Sequence, residues 1–226
     1  VNKTWKKNFL LKYSEIEKKK TIGSIKHNAI RETLSFFKVP DYLEISSISD
    51  VPAGTGLGSS GTFLVGLINV VNSFYNKNLS RYELADYACK IEMDILKEPS
   101  GKQDPFISSY GGLKIIKISK NGKTKIEELK ISQDFSEELD DSFLTYFTGY
   151  TRQSKNILGE QEKKTKKKNK ELIQSLDFVK EIANETINVF QRGSVKDYAD
   201  LMNEHWNYKM KRSKNMSSNS INNLIE

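Results

Sequence analysis

The chain reads DVPAGTGLGSSG over residues 50–61, between a predicted strand and a strongly apolar predicted helix. Its alternating glycines, Gly54, Gly56 and Gly58, allow a backbone to turn sharply and to approach a ligand closely. A helix that begins directly after such a loop presents unpaired N–H groups and a partial positive charge. The stretch therefore predicts an anion site suited to a di- or triphosphate, with the two following serines as further ligands of phosphate or Mg²⁺.

Three other interpretations of this loop compete with a phosphate site. Residues 56–61 match the dinucleotide fingerprint G-x-G-x-x-G, but that motif needs an acidic residue about 20 positions later, at the end of a second strand. Residues 79–83 open a capped helix instead. The P-loop needs Gly-Lys followed by Ser or Thr, whereas Ser59 follows Gly58 here. A tight strand–helix connection without a ligand stays open, although it requires fewer glycines.

Hydrophobic periodicity predicts a mixture of strands and helices. Strands are predicted over residues 9–13, 43–48, 113–118 and 143–147, and helices over 24–38, 60–75, 80–96, 150–191 and 194–210. Ser80 and Glu83 form a capping-box pattern, and Asn121-Gly122 predicts a hairpin turn. Strands mixed with helices, followed mostly by helices, indicate an α+β domain and the start of a second domain.

The composition limits the partners that we expect. The 226 residues carry a net charge of +7, and much of it comes from lysine runs at residues 18–20 and 163–170. No aromatic residues interleave with these lysines, so solvated helix faces are favoured over a nucleic-acid site. The single cysteine, Cys89, is interpreted as a core residue in a reducing compartment. No apolar run is long enough to span a bilayer, and we expect a cytoplasmic protein without membrane partners.

The glycine loop resembles the second signature of the GHMP kinases, the family of galactokinase, homoserine kinase and mevalonate kinase. The matching residues are Pro52, Gly54, Gly56, Leu57, Gly58, Ser59 and Ser60. Gly101-Lys102-Gln103-Asp104 and Tyr110-Gly111-Gly112 narrow the resemblance to the sugar-kinase branch that contains D-glycero-D-manno-heptose 7-phosphate kinase. Further similarity lies in Arg31-Glu32, in residues 91–96 and in residues 146–152.

This resemblance implies an α+β fold with the two domains of a GHMP kinase. The N-terminal domain, similar to ribosomal protein S5 domain 2, would occupy residues 1–135, with the ATP-phosphate loop at 52–61 and the catalytic segment at 100–112. Residues 136–226 would begin the ferredoxin-like α/β C-terminal domain. The family's first and last signatures do not occur in the chain, which is therefore interpreted as a central fragment of a longer kinase, incomplete at both ends.

The activity implied is ATP-dependent phosphorylation of a sugar hydroxyl. In the heptose branch the acceptor is the anomeric hydroxyl of heptose 7-phosphate and the product is the 1,7-bisphosphate, which feeds nucleotide-activated heptose synthesis. Phosphoryl transfer asks a protein mainly for positioning and charge neutralisation. The resemblance assigns ATP phosphate binding to the seven loop residues listed above and Mg²⁺ to Ser60, or Ser59, together with Glu92. It assigns proton abstraction to Asp104, which we expect in a loop.

The remaining assignments are less specific. Lys102, Gln103 and Arg152 are candidates for binding the substrate, although ordinary surface positions would explain them equally well. A turn-stabilising role is the alternative for Asp104, and a helix-surface position is the alternative for Glu92. Kinases for fucose or galactose, and a non-catalytic nucleotide- or sugar-binding protein, stay open as functions. The expected partners are ATP and a sugar phosphate, and a homodimer stays open.

Overall fold

The computed structural model describes residues 1–51, 54–149 and 170–210. The chain divides into two units, Val1–Ile116 and Lys117–Glu226, which are described separately below. The domain boundary at residue 135 that the family resemblance implies stays a prediction. Among the described residues, no helix combines the length and the apolar character needed to cross a bilayer.

The first unit contains a four-stranded sheet in the order β1-β4-β2-β3. Its strands are β1 (Asn2–Lys3), β2 (Phe9–Lys12), β3 (Ile16–Lys19) and β4 (Leu43–Ser46). β2 and β4 run parallel, and the other two pairs are antiparallel. Alternate residues of β2 and β4 are buried, as expected for strands with one face on a core. The lysine run at residues 18–20 was interpreted as a helix face, but it begins in the edge strand β3.

The helices of this unit follow the predicted periodicity. They are α1 (Asn28–Phe36), α2 (Ser59–Phe74), α3 (Arg81–Cys89), a π-helical segment Lys90–Ile95 that continues α3, and α4 (Gln103–Tyr110). A short 3-10 turn, Ile22–Ser24, precedes α1. The capping box at the start of α3 is confirmed, because the Ser80 side chain accepts from the Glu83 N–H while the Glu83 carboxylate accepts from the Ser80 N–H.

Helix α2 lies between two hydrophobic clusters and is buried on both sides. Leu67 and Val71 belong to a cluster with the sheet and α1. Leu64 and Ile68 belong to a second cluster with α3 and the π-helical segment. Burying each of these side chains contributes roughly 1.5–3 kcal/mol, so the axis of α2 and the position of its first turn are firmly set.

Glu17 in β3 is a buried carboxylate that the sequence pattern did not reveal, only 4% exposed. It accepts hydrogen bonds from the Tyr13 hydroxyl at 2.8 Å and from the backbone N–H groups of Lys26 at 2.8 Å and His27 at 3.0 Å. Burial acts to raise the pKa of Glu17, but these donors outweigh burial and leave that pKa below its ordinary value. The carboxylate therefore fixes the chain where it enters α1.

The second unit begins inside a hairpin and continues as helices. Its elements are the end of β5 (Lys114–Ile118), which begins in the first unit, and then β6 (Thr124–Glu128), α5 (Gln133–Ser142), α6 (Lys170–Arg192) and α7 (Val195–Met210). The predicted hairpin turn is confirmed, with Gly122 at φ 80°. The strand predicted over residues 143–147 is wrong: that segment forms no strand, because an isolated extended segment has no ladder partner among the described residues.

Candidate active site

Residues 54–61 of the glycine loop have the backbone that the sequence predicts. Gly54, Gly56 and Gly58 adopt φ values of 81°, 85° and 68°, a region that L-residues enter at a cost of roughly 1–2 kcal/mol. Leu57 between them is 63% exposed, so its side chain contributes little to a core. Pro52, the first residue of the signature, lies outside the described residues. The loop therefore presents mainly backbone to its surroundings.

Helix α2 begins at the end of this loop without a side-chain cap. Gly58 is its N-cap residue, and no side chain accepts from the first-turn N–H groups. By contrast, His27, Ser80 and Ser132 cap α1, α3 and α5 through their side chains. Since the first N–H groups of a helix have no intrahelical partner, those of α2 are available to an anion.

Ser60, in the first turn of α2, is joined to Glu92. Its hydroxyl donates a hydrogen bond to the Glu92 Oε1 at 2.6 Å. Glu92 is only 4% exposed. The alternative of a helix-surface carboxylate is therefore wrong, because this carboxylate is buried beside the end of the glycine loop.

Glu92 owes its position to the π-helical segment. The Leu96 N–H donates to the Ile91 carbonyl five residues earlier, at 2.9 Å, and the Glu98 N–H donates to the Glu92 carbonyl at 3.0 Å. The sequence predicts one uninterrupted helix to residue 96. Single π turns inside helices are rare and frequently occur at functional sites, and nothing in the local sequence distinguishes them from an α-helix.

Asp104 lies in the first turn of α4, so the expectation that it belongs to a loop is wrong. Pro105, the next residue, is compatible with this placement because a helix does not use the N–H groups of its first turn. Asp104 meets the glycine loop directly: a Cβ added to Gly58 would lie 2.9 Å from the Asp104 Cγ. A Cβ added to Gly61 would lie 2.9 Å from the Pro105 Cδ. Both glycines thus permit α4 to rest on the start of α2.

The surroundings of Asp104 make its carboxylate a stronger base. Burial raises the pKa of the Asp104 carboxyl above its ordinary value. Desolvation disfavours the charged form of an acid, and a carboxylate with a raised pKa accepts a proton more readily. Asp104 is only half-buried, so a substrate can still reach it.

Two buried hydroxyls, one in the glycine loop and one before α4, were not predicted from the sequence. Thr55 Oγ1 in the glycine loop and Ser100 Oγ before α4 are buried without a hydrogen-bond partner among the described residues. A buried hydroxyl of this kind normally has a partner, and a phosphate oxygen is one that the Thr55 donor fits. Threonine and serine are common in loops, so the sequence does not mark either residue as a ligand-binding one.

The metal expectation fits the donors present. A serine hydroxyl and a buried carboxylate are hard oxygen ligands. The described residues contain no group of three or more His, Cys, Asp or Glu side chains that would hold a metal by themselves. Mg²⁺ is commonly bound in proteins through one or two carboxylates, with water and substrate phosphates as its other ligands.

The remaining residues singled out in the sequence lie in different places. Lys102 is the half-buried N-cap residue of α4, and Gln103 is its exposed first residue. Arg152 lies outside the described residues. Cys89 is buried, and burial raises the pKa of its thiol to about 12, which agrees with an unreactive core residue.

Part of the chain matches a known protein family. Residues 22–112 match the family model described as "GHMP kinases N terminal domain". This stretch is therefore similar to the N-terminal domain of the GHMP kinases. It contains the glycine loop, the Ser60–Glu92 pair and Asp104, so the geometry described above lies inside the matched stretch.

Relatives and solved structures extend the likeness beyond this domain. D-glycero-alpha-D-manno-heptose 7-phosphate kinase from Campylobacter jejuni is 29% identical over 217 residues, which cover 93% of this chain and 62% of the relative. Mevalonate kinase from Methanocaldococcus jannaschii is 26% identical over 208 residues, covering 88% of this chain and 59% of the relative. The chain thus spans about three fifths of the length of these relatives.

The fold of the GHMP kinases is also shared. A crystal structure described as a D-glycero-D-manno-heptose 1-phosphate kinase from Bacteroides thetaiotaomicron superposes with a TM-score of 0.75 at 20% identity. The match covers 93% of this chain and 66% of that structure. The predicted α+β GHMP fold is therefore confirmed.

Proposed function

We propose that the full-length protein transfers the γ-phosphoryl group of ATP to a sugar hydroxyl, specifically the anomeric hydroxyl of D-glycero-D-manno-heptose 7-phosphate. The observation that carries this proposal is the meeting of three features at the start of α2. They are the glycine loop with its uncapped helix, the buried Ser60–Glu92 pair and Asp104 in contact with Gly58. Phosphoryl transfer needs an anion cradle, charge neutralisation and a base for the acceptor, and these three features supply them.

The glycine loop and the first turn of α2 bind the phosphates. Gly54, Gly56 and Gly58 turn the backbone so that amides face a ligand, and the α2 dipole favours negative charge at the same place. The partnerless Thr55 hydroxyl donates to a phosphate oxygen.

Ser60 and Glu92 hold Mg²⁺ in this proposal. The hydrogen bond between them keeps both oxygens together and fixes the Glu92 carboxylate before a metal arrives. An ion held by these two side chains would supply positive charge beside the phosphates, which would offset the negative charge that develops during transfer.

Asp104 orients the acceptor hydroxyl and takes its proton. As the acceptor oxygen bonds to the γ-phosphorus, the bond from that phosphorus to the β-phosphate bridging oxygen breaks and ADP leaves. The proton of the acceptor hydroxyl passes to a carboxylate oxygen of Asp104. The raised pKa of that carboxyl suits this role, because general bases work best when their pKa lies closer to the working pH.

The choice of sugar rests on the residues at the start of α4 and on the relatives. Lys102 and Gln103 stand at the start of α4, next to Asp104. Lys102 and Arg152 are the candidates for binding the substrate's own phosphate, and Gln103 is a candidate for contact with the substrate. The Campylobacter relative is named a heptose 7-phosphate kinase, and it covers nearly the whole chain. Galactokinase from Pyrococcus furiosus and an L-fucokinase from Bacteroides fragilis are also similar, over 46% and 81% of the chain. A galactose or fucose kinase is therefore the alternative.

An acceptor panel tests the sugar. The full-length protein is incubated with ATP, Mg²⁺ and one acceptor at a time, namely heptose 7-phosphate, galactose, fucose or mevalonate, and ADP release is measured. We expect the largest kcat/KM with heptose 7-phosphate. A larger value with another acceptor would refute the heptose assignment and leave the kinase proposal in place.

Asp104→Asn separates a kinase from a non-catalytic binding protein. We expect this variant to retain ATP binding and to lose about 10²–10⁴-fold in kcat, the range that general-base catalysis contributes. Asp94→Asn is the matched control, because Asp94 is an exposed carboxylate in the same π-helical segment as Glu92. A wild type that binds nucleotide without turning over any acceptor would favour the binding protein. The cytoplasmic location, the two-domain boundary and the oligomeric state remain predictions.

A further inference from the structure

Helix α4 is tied to α2 by a pair of hydroxyls. Thr62 Oγ1 lies 2.7 Å from Ser108 Oγ. The same Thr62 oxygen lies 3.1 Å from the carbonyl oxygen of Gly58, one turn earlier in α2. A threonine hydroxyl has a single proton. Because the Gly58 carbonyl can only accept, the Thr62 proton is directed to Gly58, and Ser108 is the donor of the bond between the helices.

This hydroxyl pair lies directly beside the contact between Gly58 and Asp104. Thr62 follows Gly58 by four residues in α2, and Ser108 follows Asp104 by four residues in α4. Residues four apart lie on the same face of a helix, one turn from each other. The Thr62–Ser108 bond is therefore one turn along from the place where a Cβ on Gly58 would meet Asp104.

The far end of α4 is tied to α3 by other bonds. The Ser109 hydroxyl donates to the Arg81 carbonyl at 2.6 Å, and Arg81 donates to the Tyr110 carbonyl at 3.2 Å. These bonds, together with the buried Phe106 ring that packs on Tyr82, hold α4 against α3. The glycine contacts and the hydroxyl pair hold it against the start of α2. At the start of α4 no side chain provides a cap.

We infer that the hydrogen bond from Ser108 to Thr62 positions Asp104 against the glycine loop and thereby sets the turnover number of the kinase. Thr62 and Ser108 are positioning residues in this inference, because they act through Asp104. The inference rests on the proposed function. A displacement of about 1 Å in a reacting group lowers a rate by as much as 10²-fold. A hydrogen bond that fixes the helix carrying Asp104 against α2 can therefore change kcat.

The test uses four single variants and one double variant of the full-length protein. Ser108→Ala removes the bond between the helices, Thr62→Val removes it together with the bond to Gly58, and Thr62→Ser keeps the hydroxyl. Thr186→Val is the matched control: Thr186 Oγ1 donates to the Ile182 carbonyl four residues earlier, as Thr62 does to Gly58, but in α6 of the second unit.

We expect Ser108→Ala and Thr62→Val to lower kcat by about tenfold while KM for ATP changes less than about twofold. Adding Ser108→Ala to Thr62→Val should produce no further loss, because both changes remove the same bond. Thr62→Ser should restore most of kcat, and Thr186→Val should leave it unchanged. Additive losses in the double variant, or a kcat unchanged by Ser108→Ala, would overturn the inference.

Amide hydrogen exchange provides a readout that does not depend on turnover. In Ser108→Ala the amides of α4 should exchange faster than in the wild type, while those of α3 should not change. Unchanged exchange in α4 would overturn the inference even if kcat fell. A wild type that turns over no acceptor, with faster exchange in Ser108→Ala, would instead refute the proposed kinase activity and leave the helix contact established.

Discussion

Gly58→Ala is the substitution that most directly probes the contact between the glycine loop and Asp104. Gly58 has φ 68°, and alanine there costs roughly 1–2 kcal/mol of backbone strain. The new Cβ would lie 2.9 Å from Asp104 Cγ, whereas carbon atoms rest at about 3.5–4.0 Å. Asp104 must therefore retreat by roughly 0.5–1 Å, and we expect kcat to fall by up to about 10²-fold.

Gly56→Ala provides a matched comparison. Gly56 has φ 85°, so alanine suffers a similar strain, but no atom lies within 4 Å of the added Cβ. We expect a comparable loss in the free energy of unfolding, a rise in KM for ATP because the loop is distorted, and a smaller loss of kcat. Gly66→Ala is a control on the exposed side of α2, where open space surrounds the added Cβ. It should stabilise the protein by about 0.5–1 kcal/mol and leave kcat and KM for ATP unchanged.

The assay is steady-state ADP release with the full-length protein, paired with urea unfolding of each variant. The reasoning predicts that Gly58→Ala and Gly56→Ala lose similar stability but differ in kcat. Equal kcat values for these two variants would refute it, because the difference depends on the collision with Asp104.

Three further predictions concern carboxylates. Glu92→Gln should raise the Mg²⁺ concentration for half-maximal activity by about 10–100-fold, measured by metal titration against Asp94→Asn, and an unchanged titration would exclude Glu92 as a ligand. Glu17→Gln should lower the free energy of unfolding by about 1–3 kcal/mol at pH 7. Since the pKa of Glu17 is lowered in the folded protein, the ionised carboxylate stabilises the fold above the ordinary pKa, and this stabilisation disappears as the pH falls through the folded value. Urea unfolding should therefore show the free energies of unfolding of the wild type and Glu17→Gln converging in acid. Asp104 has a raised pKa in the folded protein, so its contribution to the free energy of unfolding is present below the ordinary pKa and is lost as the pH rises through the folded value. Asp104→Asn should therefore have a larger free energy of unfolding than the wild type at pH 8. In acid, where the carboxyl is protonated, the substitution should bring no increase.

Much of the fold was visible in local patterns. The helix predicted over residues 60–75 is α2, Ser59–Phe74, because its apolar residues are numerous and its start follows glycines. The capping box and the hairpin turn were equally clear, since each depends on two or three neighbouring residues. The glycine loop also pointed to an anion site before any tertiary contact was known.

The features that escaped prediction depend on tertiary contacts. Strand β3 carries one apolar and three charged residues, and it pairs with β2 while its Glu17 side chain accepts from the N–H groups of Lys26 and His27. Helix α4 is short and contains a proline, so its pattern did not indicate a helix. The meeting of Gly58 with Asp104 joins distant parts of the sequence and appears only after α4 packs on α2.

The most direct test of the phosphoryl-transfer site is a crystal structure of the full-length protein with Mg²⁺ and a non-hydrolysable ATP analogue. The account predicts that N–H groups of the glycine loop donate to the β- and γ-phosphates, with Mg²⁺ bound by Ser60 and Glu92. It also predicts that a sugar hydroxyl, when present, lies about 3 Å from an Asp104 oxygen and in line with the γ-phosphorus. Triphosphate bound away from the start of α2, or Asp104 turned away from the γ-phosphate, would contradict it.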